Sequence, residues 1–201
     1  MSARLAGLDV ADPPERWGAL GFAVDSADRV TLGGVTIQLG VSGTGITRWT
    51  LAGVDATDQI DGLPTAVAGL PQQDPSALPH DNGAVALDHF VIVTGEFERT
   101  SAALAAHEMP LRLVRETDAD RHRQGFRRLG PAIMEIVEVR DLEGAARFWG
   151  LVVVVEDLEA LHRRLDPHLH EIRPAVQEGR RIATLDGSAG LTPRVAFMDA
   201  E

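Results

Sequence analysis

The chain is 201 residues long, with 44% hydrophobic and 24% charged residues, an ordinary balance for a globular protein with a sizeable core. It has no cysteine, which excludes disulfides, iron–sulfur clusters and zinc–thiolate sites, and its 19 basic residues are all arginine, which excludes Schiff-base and P-loop lysine chemistry. A net charge of −11 makes nucleic acid an unfavourable partner, and the longest strongly apolar run, 151–155, is far too short to span a membrane.

The opening MSARLAGLDVADPPERW lacks the long apolar run of a secretory signal, so the cytoplasm is the expected location. Pro13 and Pro14 precede a short helix over 15–20. The stretch GFAVDSADRVTLGGVTIQLGV then alternates like strands, with turns at 25–28 and at Gly33-Gly34. ITRWTLAGV, residues 46–54, reads as one more strand. Residues 56–84 are proline-rich with little periodicity and read as a linker.

The central segment, 85–140, is clearer. ALDHFVIV, residues 86–93, is an apolar, β-branched strand ended by Gly95. Residues 96–107 space Phe97, Leu104 and Ala105 as an amphipathic helix, stopped by Pro110. Strand-like runs follow at 111–115, 124–129 and 132–139, which completes a β-α-β-β-β order.

The C-terminal segment, 147–201, repeats that order, with a strand at 151–155, a helix at 157–165 and strands at 180–185 and 194–198. The two copies align residue on residue. HFVIVTGEFERTSAAL from His89 matches GLVVVVEDLEALHRRL from Gly150, and PAIMEIVEV from Pro131 matches PRVAFMDAE from Pro193. A repeat of ~60 residues exceeds solenoid units, and two copies suggest a closed pair. The N-terminal segment, 1–55, reads as a third and rearranged copy: RVTLGGVTIQLG parallels FRRLGPAIMEIV, which sets Gln38 on Glu135, and its opening strand at 46–54 comes last.

This repeat, with LDHFVIV as a first strand and GPAIMEIVEV as a last strand, resembles the vicinal oxygen chelate superfamily, the glyoxalase, bleomycin-resistance and ring-cleaving dioxygenase group. The resemblance implies an α+β fold whose β-α-β-β-β modules form a cup-shaped, mainly antiparallel sheet. It implies a divalent metal (Zn, Fe, Ni or Mn) on His89 and Glu135, with Gln38 as a possible third ligand, and no nucleotide cofactor. An open coordination position would polarise a small oxygenated substrate in a lyase, isomerase or dioxygenase reaction, with His89 and Glu135 also serving as the catalytic pair.

Two departures temper that picture. The C-terminal copy has Gly150 and Phe197 where ligands would fall. The rival reading is therefore a non-catalytic protein of the bleomycin-resistance type that binds or sequesters a small molecule. Glu135 sits among apolar residues, so it needs a metal or an ion pair with Arg127 or Arg181. One member of each pair, Arg127-Arg128 and Arg180-Arg181, is expected to face the cup by strand alternation; Arg127 and Arg181 are the candidates to hold a substrate carboxylate. His122, His162, His168 and His170 read as solvent-facing, and Phe148 and Trp149 as core or interface. Three modules leave one unpaired, which predicts a homodimer.

Overall fold

In the computed structural model the described residues are 2–69, 78–117 and 122–200. They form two mixed sheets, few helices and one shared core. Among them no helix is long and apolar enough to cross a membrane.

The C-terminal sheet is built from two β-α-β-β-β modules, as the repeat predicts. The first comprises β7 (Ala84–Thr94), α2 (Phe97–Ala106), β8 (Leu113–Thr117), β9 (His122–Leu129) and β10 (Ala132–Glu138). The second comprises β11 (Arg147–Val155), α3 (Leu158–Leu165), β12 (Arg173–Pro174), β13 (Arg181–Thr184) and β14 (Arg194–Asp199). The strand order is β12-β13-β14-β11-β7-β10-β9-β8. In each module the last strand lies parallel beside the first, and the two first strands, β7 and β11, pair antiparallel at a central seam. The helices return the chain across one face. Helix α3 opens on Asp157, whose carboxylate accepts from the Ala160 amide, and buries Leu158, Leu161 and Leu165 against the sheet.

The N-terminal sheet repeats the scheme in shortened form, with a first strand that the sequence reading missed. Strand β1 (Arg4–Val10) precedes α1 (Pro14–Ala19), and β2 (Arg29–Leu32) and β3 (Val35–Gln38) follow, with β3 parallel to β1. This copy is therefore not rearranged. Strand β4 (Ile46–Ala52) opens a further half-module that continues through β5 (Gln59–Ile60) and β6 (Leu63–Ala68), inside the stretch read as linker. The order is β2-β3-β1-β4-β6-β5, with β1 and β4 antiparallel at the seam. Two features hid these strands. Gly7 interrupts β1, where a Cβ would come within 2.8 Å of the Thr36 carbonyl oxygen, and Pro64 interrupts β6. The dimer argument loses its premise, because β4 supplies β1 with a partner inside the chain.

The two sheets pack through aromatic side chains. Trp49 of β4 is fully buried, its ring 5.9 Å from Phe90 of β7 and 5.7 Å from Phe148 of β11. Phe22 bridges Trp17 and Phe197. One face of the eight-stranded sheet is thereby covered by α2, α3 and the N-terminal sheet. The other face is concave and open, with only a small cluster of Val152, Ala196 and Met198 joined by Ala175 and Ile182.

Candidate functional site

Strand alternation alone would put Leu87 on the face of His89. It does not, because β7 carries a bulge: His89 pairs with Val152 and Leu87 with Val153, which leaves Asp88 as the extra residue. Leu87 returns to the core, while His89, Val91 and Val93 line the concave face. A second bulge in β11, at Trp149, turns Phe148 toward Trp49 and leaves the Trp149 ring 52% exposed at the cup margin.

The first bulge assembles a polar line. His89 Nε2 lies 3.5 Å from Glu135 Oε2, and His89 Nδ1 lies 2.7 Å from Asp88 Oδ2. Arg180 Nη1 donates to Asp88 Oδ1 at 2.7 Å and to Gln177 Oε1 at 2.8 Å, and its Nε and Nη2 donate to the Asp199 carbonyl at 2.9 and 2.6 Å. Burial would raise the Asp88 carboxyl, but hydrogen bonds from His89 and Arg180 outweigh it and bring the group down to about 2. Ionised Asp88 can only accept, so the network assigns the proton of His89 to Nδ1 and turns Nε2 to the cup. Glu135 goes the other way: burial raises its carboxyl, and the charge of His89 offsets this only in part.

The cavity above this line has two lobes, of about 460 and 480 Å³, which share His89, Gln124, Glu135 and Ile182. The first lobe is walled by apolar residues such as Val91, Val137 and Leu151 and reaches Trp149. The second lies between Leu113, Arg115 and Phe126 on one side and Arg173, Ala175 and Val176 on the other. These belong to, or adjoin, the two edge strands β8 and β12, which are not paired with each other. The sheet thus curls until both edges line one cavity without closing into a barrel.

His89 and Glu135 are together on the concave face, as the module resemblance implies. The other named residues are elsewhere. Gln38 lies in the six-stranded sheet, where its amide nitrogen is 3.0 Å from the Ala27 carbonyl oxygen. Arg127 stands opposite buried Met134, on the face turned away from the cup, because its neighbours Gln124 and Phe126 hold the cup positions of β9. Arg181 pairs with Asp199 and with Glu159 of α3 on the helix side, each at 2.8 or 2.7 Å. Glu135 accordingly has neither arginine as partner. The reading passed over Asp88 and Gln124, and of the pair Arg180-Arg181 it chose Arg181 where Arg180 holds the network. The DH dipeptide within an apolar strand is the signal that could have flagged Asp88.

A metal fits this arrangement poorly. Among the described residues no group of three or more His, Cys, Asp or Glu gathers around one point. Asp88 already serves Arg180 and His89. The second module turns Val152, Ile182, Ala196 and Met198 into the cup, with no imidazole or carboxylate among its lining side chains. Phe197, the residue aligned with Glu135, faces the core, and Ala196 holds the cup position instead. One imidazole and one carboxylate are one protein ligand short of the three that catalytic zinc sites carry.

The opposite shifts of the two carboxyls give a test. Glu135, raised by burial, contributes stability that is fully present below its ordinary value of 4.5 and is lost as pH rises through its folded value. Glu135→Gln is therefore expected to raise the melting temperature near neutral pH by roughly 2–4 °C and to leave it almost unchanged near pH 4. Thermal denaturation at the two pH values checks this, and a lower melting temperature at neutral pH contradicts it.

No protein-family model and no curated protein matches the sequence. Solved structures do match. A triple mutant of 4-hydroxymandelate synthase from Streptomyces coelicolor superposes with a TM-score of 0.66 at 15% identity, over 98% of this chain and 92% of that one. A xylose isomerase-like TIM barrel/4-hydroxyphenylpyruvate dioxygenase fusion protein gives 0.65 at 8% identity, over 98% of this chain and 48% of that one. Methylmalonyl-CoA epimerase from Mycobacterium tuberculosis gives 0.48 at 17% identity, over 59% of this chain and 90% of that one. With its paired β-α-β-β-β modules, α+β layers and open, mainly antiparallel cup, the chain shares the fold of 4-hydroxymandelate synthase, as expected from its resemblance to the vicinal oxygen chelate superfamily.

Proposed function

We propose that the eight-stranded cup binds a small organic molecule, with the apolar body against the valine-rich walls and one polar group against His89 and Glu135, and with no resident metal. The observation that carries this reading is the asymmetry of the cup floor: the first module contributes the polar pair, while around Val152, Ile182, Ala196 and Met198 the second contributes no imidazole or carboxylate. Few polar groups set in a largely apolar cavity are the usual composition of a small-molecule site. The cytoplasmic location belongs to the same proposal.

A library thermal-shift screen tests it. Compounds that raise the melting temperature of the native protein are expected to raise that of Ala196→Phe less, because its ring intrudes into the first lobe. Equal shifts in both proteins, or no shift with any compound, would overturn the reading. Elemental analysis of protein purified without chelators is expected to find no stoichiometric metal; a stoichiometric metal that disappears in His89→Ala restores the metal-enzyme reading.

One observation favours a second reading, metal-free proton transfer. Asp88 fixes the tautomer of His89, so that Nε2 and the Glu135 carboxyl together present one exchangeable proton to the cup. Bound compounds recovered from deuterated water separate the two. Unchanged compound supports binding alone, whereas deuterium on carbon, lost in His89→Ala, supports catalysis.

A further inference from the structure

We infer that the occupant of the cup is an amphipathic anion, with its charged group held at the mouth of the second lobe by Arg115 and Arg173. This deepens the small-molecule reading above and rests on it. The chain carries 30 acidic and 19 basic residues, yet the side chains lining the two lobes reverse that balance: Arg115, Arg173 and Arg194 against Glu135 alone. Glu135 is itself half-buried, with its carboxylate 3.5 Å from His89.

The two arginines are aimed by register. On β8, Arg115 is opposite Gln124, which lines both lobes, and directly opposed residues of an antiparallel pair share a face. On β12, Arg173 is opposite Ile182, which also lines both lobes. The Arg115 guanidinium lies 5.6 Å from the Phe126 ring centroid, which holds it over the lobe.

Both side chains are exposed, and among the described residues neither has an ion pair. Arg48, Arg99, Arg123, Arg180 and Arg181 are paired, and Arg112, Arg128, Arg147 and Arg163, which have no ion pair among the described residues, do not line the lobes. Glu116, next to Arg115, alternates to the other face, and Glu178 does not line the lobe. In a chain with surplus acid, two unpaired arginines facing each other across an apolar cavity lack a counter-ion that a bound carboxylate would supply. Leu113 and Val176, exposed at the same mouth, would cover the apolar body of such a ligand.

A matched series tests the charge separately from the cavity: phenylbutyrate, phenylbutanol and phenylbutylamine share one body and differ in charge at neutral pH. Titration calorimetry is expected to rank them anion, alcohol, amine, with the anion about tenfold tighter than the alcohol in low salt. That preference is expected to shrink in high salt and to vanish in Arg115→Ala/Arg173→Ala, which should bind the alcohol as the native protein does. Both substitutions are at exposed positions, and a melting curve confirms that the variant is folded. If the alcohol binds as tightly as the anion, or the amine binds best, the anion proposal is overturned while the small-molecule reading stands. An anion preference that survives in the double variant also overturns it, by moving the charge recognition elsewhere. If none of the three binds while library compounds do, the anion proposal falls alone; if nothing binds at all, both fall together.

Discussion

Arg180→Ala is expected to cost about 3–5 kcal/mol of folding stability in urea denaturation, a large effect for a residue outside the helices and strands. Its guanidinium is 9% exposed and serves three acceptors: the Asp199 carbonyl, Asp88 and Gln177. Truncation leaves the Asp88 carboxylate inside the protein with His89 as its remaining partner, and an uncompensated buried charge costs more than the pair ever contributed. Asp88→Asn in the same background should recover part of the loss, with a coupling of about 1–3 kcal/mol in the double-mutant cycle. An independent signature lies in acid. The Asp88 carboxyl, held at about 2 against an ordinary 3.8, contributes stability that is fully present above 3.8 and is lost as pH falls from there toward 2. After a discount for the water that still screens it, the loss should be about 1–2 kcal/mol. A native protein whose stability is flat across that window, or an Arg180→Ala variant as stable as the parent, would remove Asp88 and Arg180 from the framework of the site.

Trp49→Ala is expected to cost a further class of energy, about 3–5 kcal/mol from lost apolar burial and the cavity left behind. Trp49 is the point at which the two sheets meet. Its ring is edge-on to Phe90 and Phe148, and its Nε1 donates to the buried Thr65 hydroxyl at 2.6 Å. Truncation strips contacts from both first strands of the cup and leaves the Thr65 hydroxyl with only its bond to the Leu63 carbonyl. Trp49→Phe should recover the packing term and leave only the hydrogen-bond loss, about 1 kcal/mol. Because the core is continuous across both sheets, unfolding is expected to remain a single transition in both variants. Two separate transitions would show that the N-terminal sheet folds on its own.

The elements that were legible in the sequence are those whose period was long enough to repeat. The β7–β10 and β11–β14 modules could be aligned because each has an apolar first strand, an amphipathic helix and an apolar last strand in fixed order. That alignment carried His89 and Glu135 to one surface. It was blind to anything that breaks a period of two. The bulge at Asp88 changes which neighbours share the face of His89, and no alternation rule contains it. The arginine pairs show the same limit: each doublet has one member per face, and without the position of Gln124 and Phe126 nothing chooses between them. Strand parity was applied to Arg180-Arg181 on a strand read from 180, but β13 begins at Arg181 and Arg180 acts from just before it. Strands β1 and β6 were lost because a glycine or a proline lowers their apparent propensity while neighbouring strands supply the pairing that propensity lacks, and β5 because it is only two residues long.

The open edges of the cup have a consequence for how selective it can be. In a closed barrel, strand number and shear fix the bore. Here no backbone hydrogen bond ties β8 to β12, so the distance between those rims follows the twist of the sheet and can change without breaking the ladder. The seam is different: β7 and β11 are held along most of their length, and His89 and Glu135 sit beside it on paired strands. Discrimination by girth should therefore be soft and discrimination by the chemistry of the inner group sharp. Such a vessel sorts its contents by what touches the bottom and is tolerant of what fills the sides.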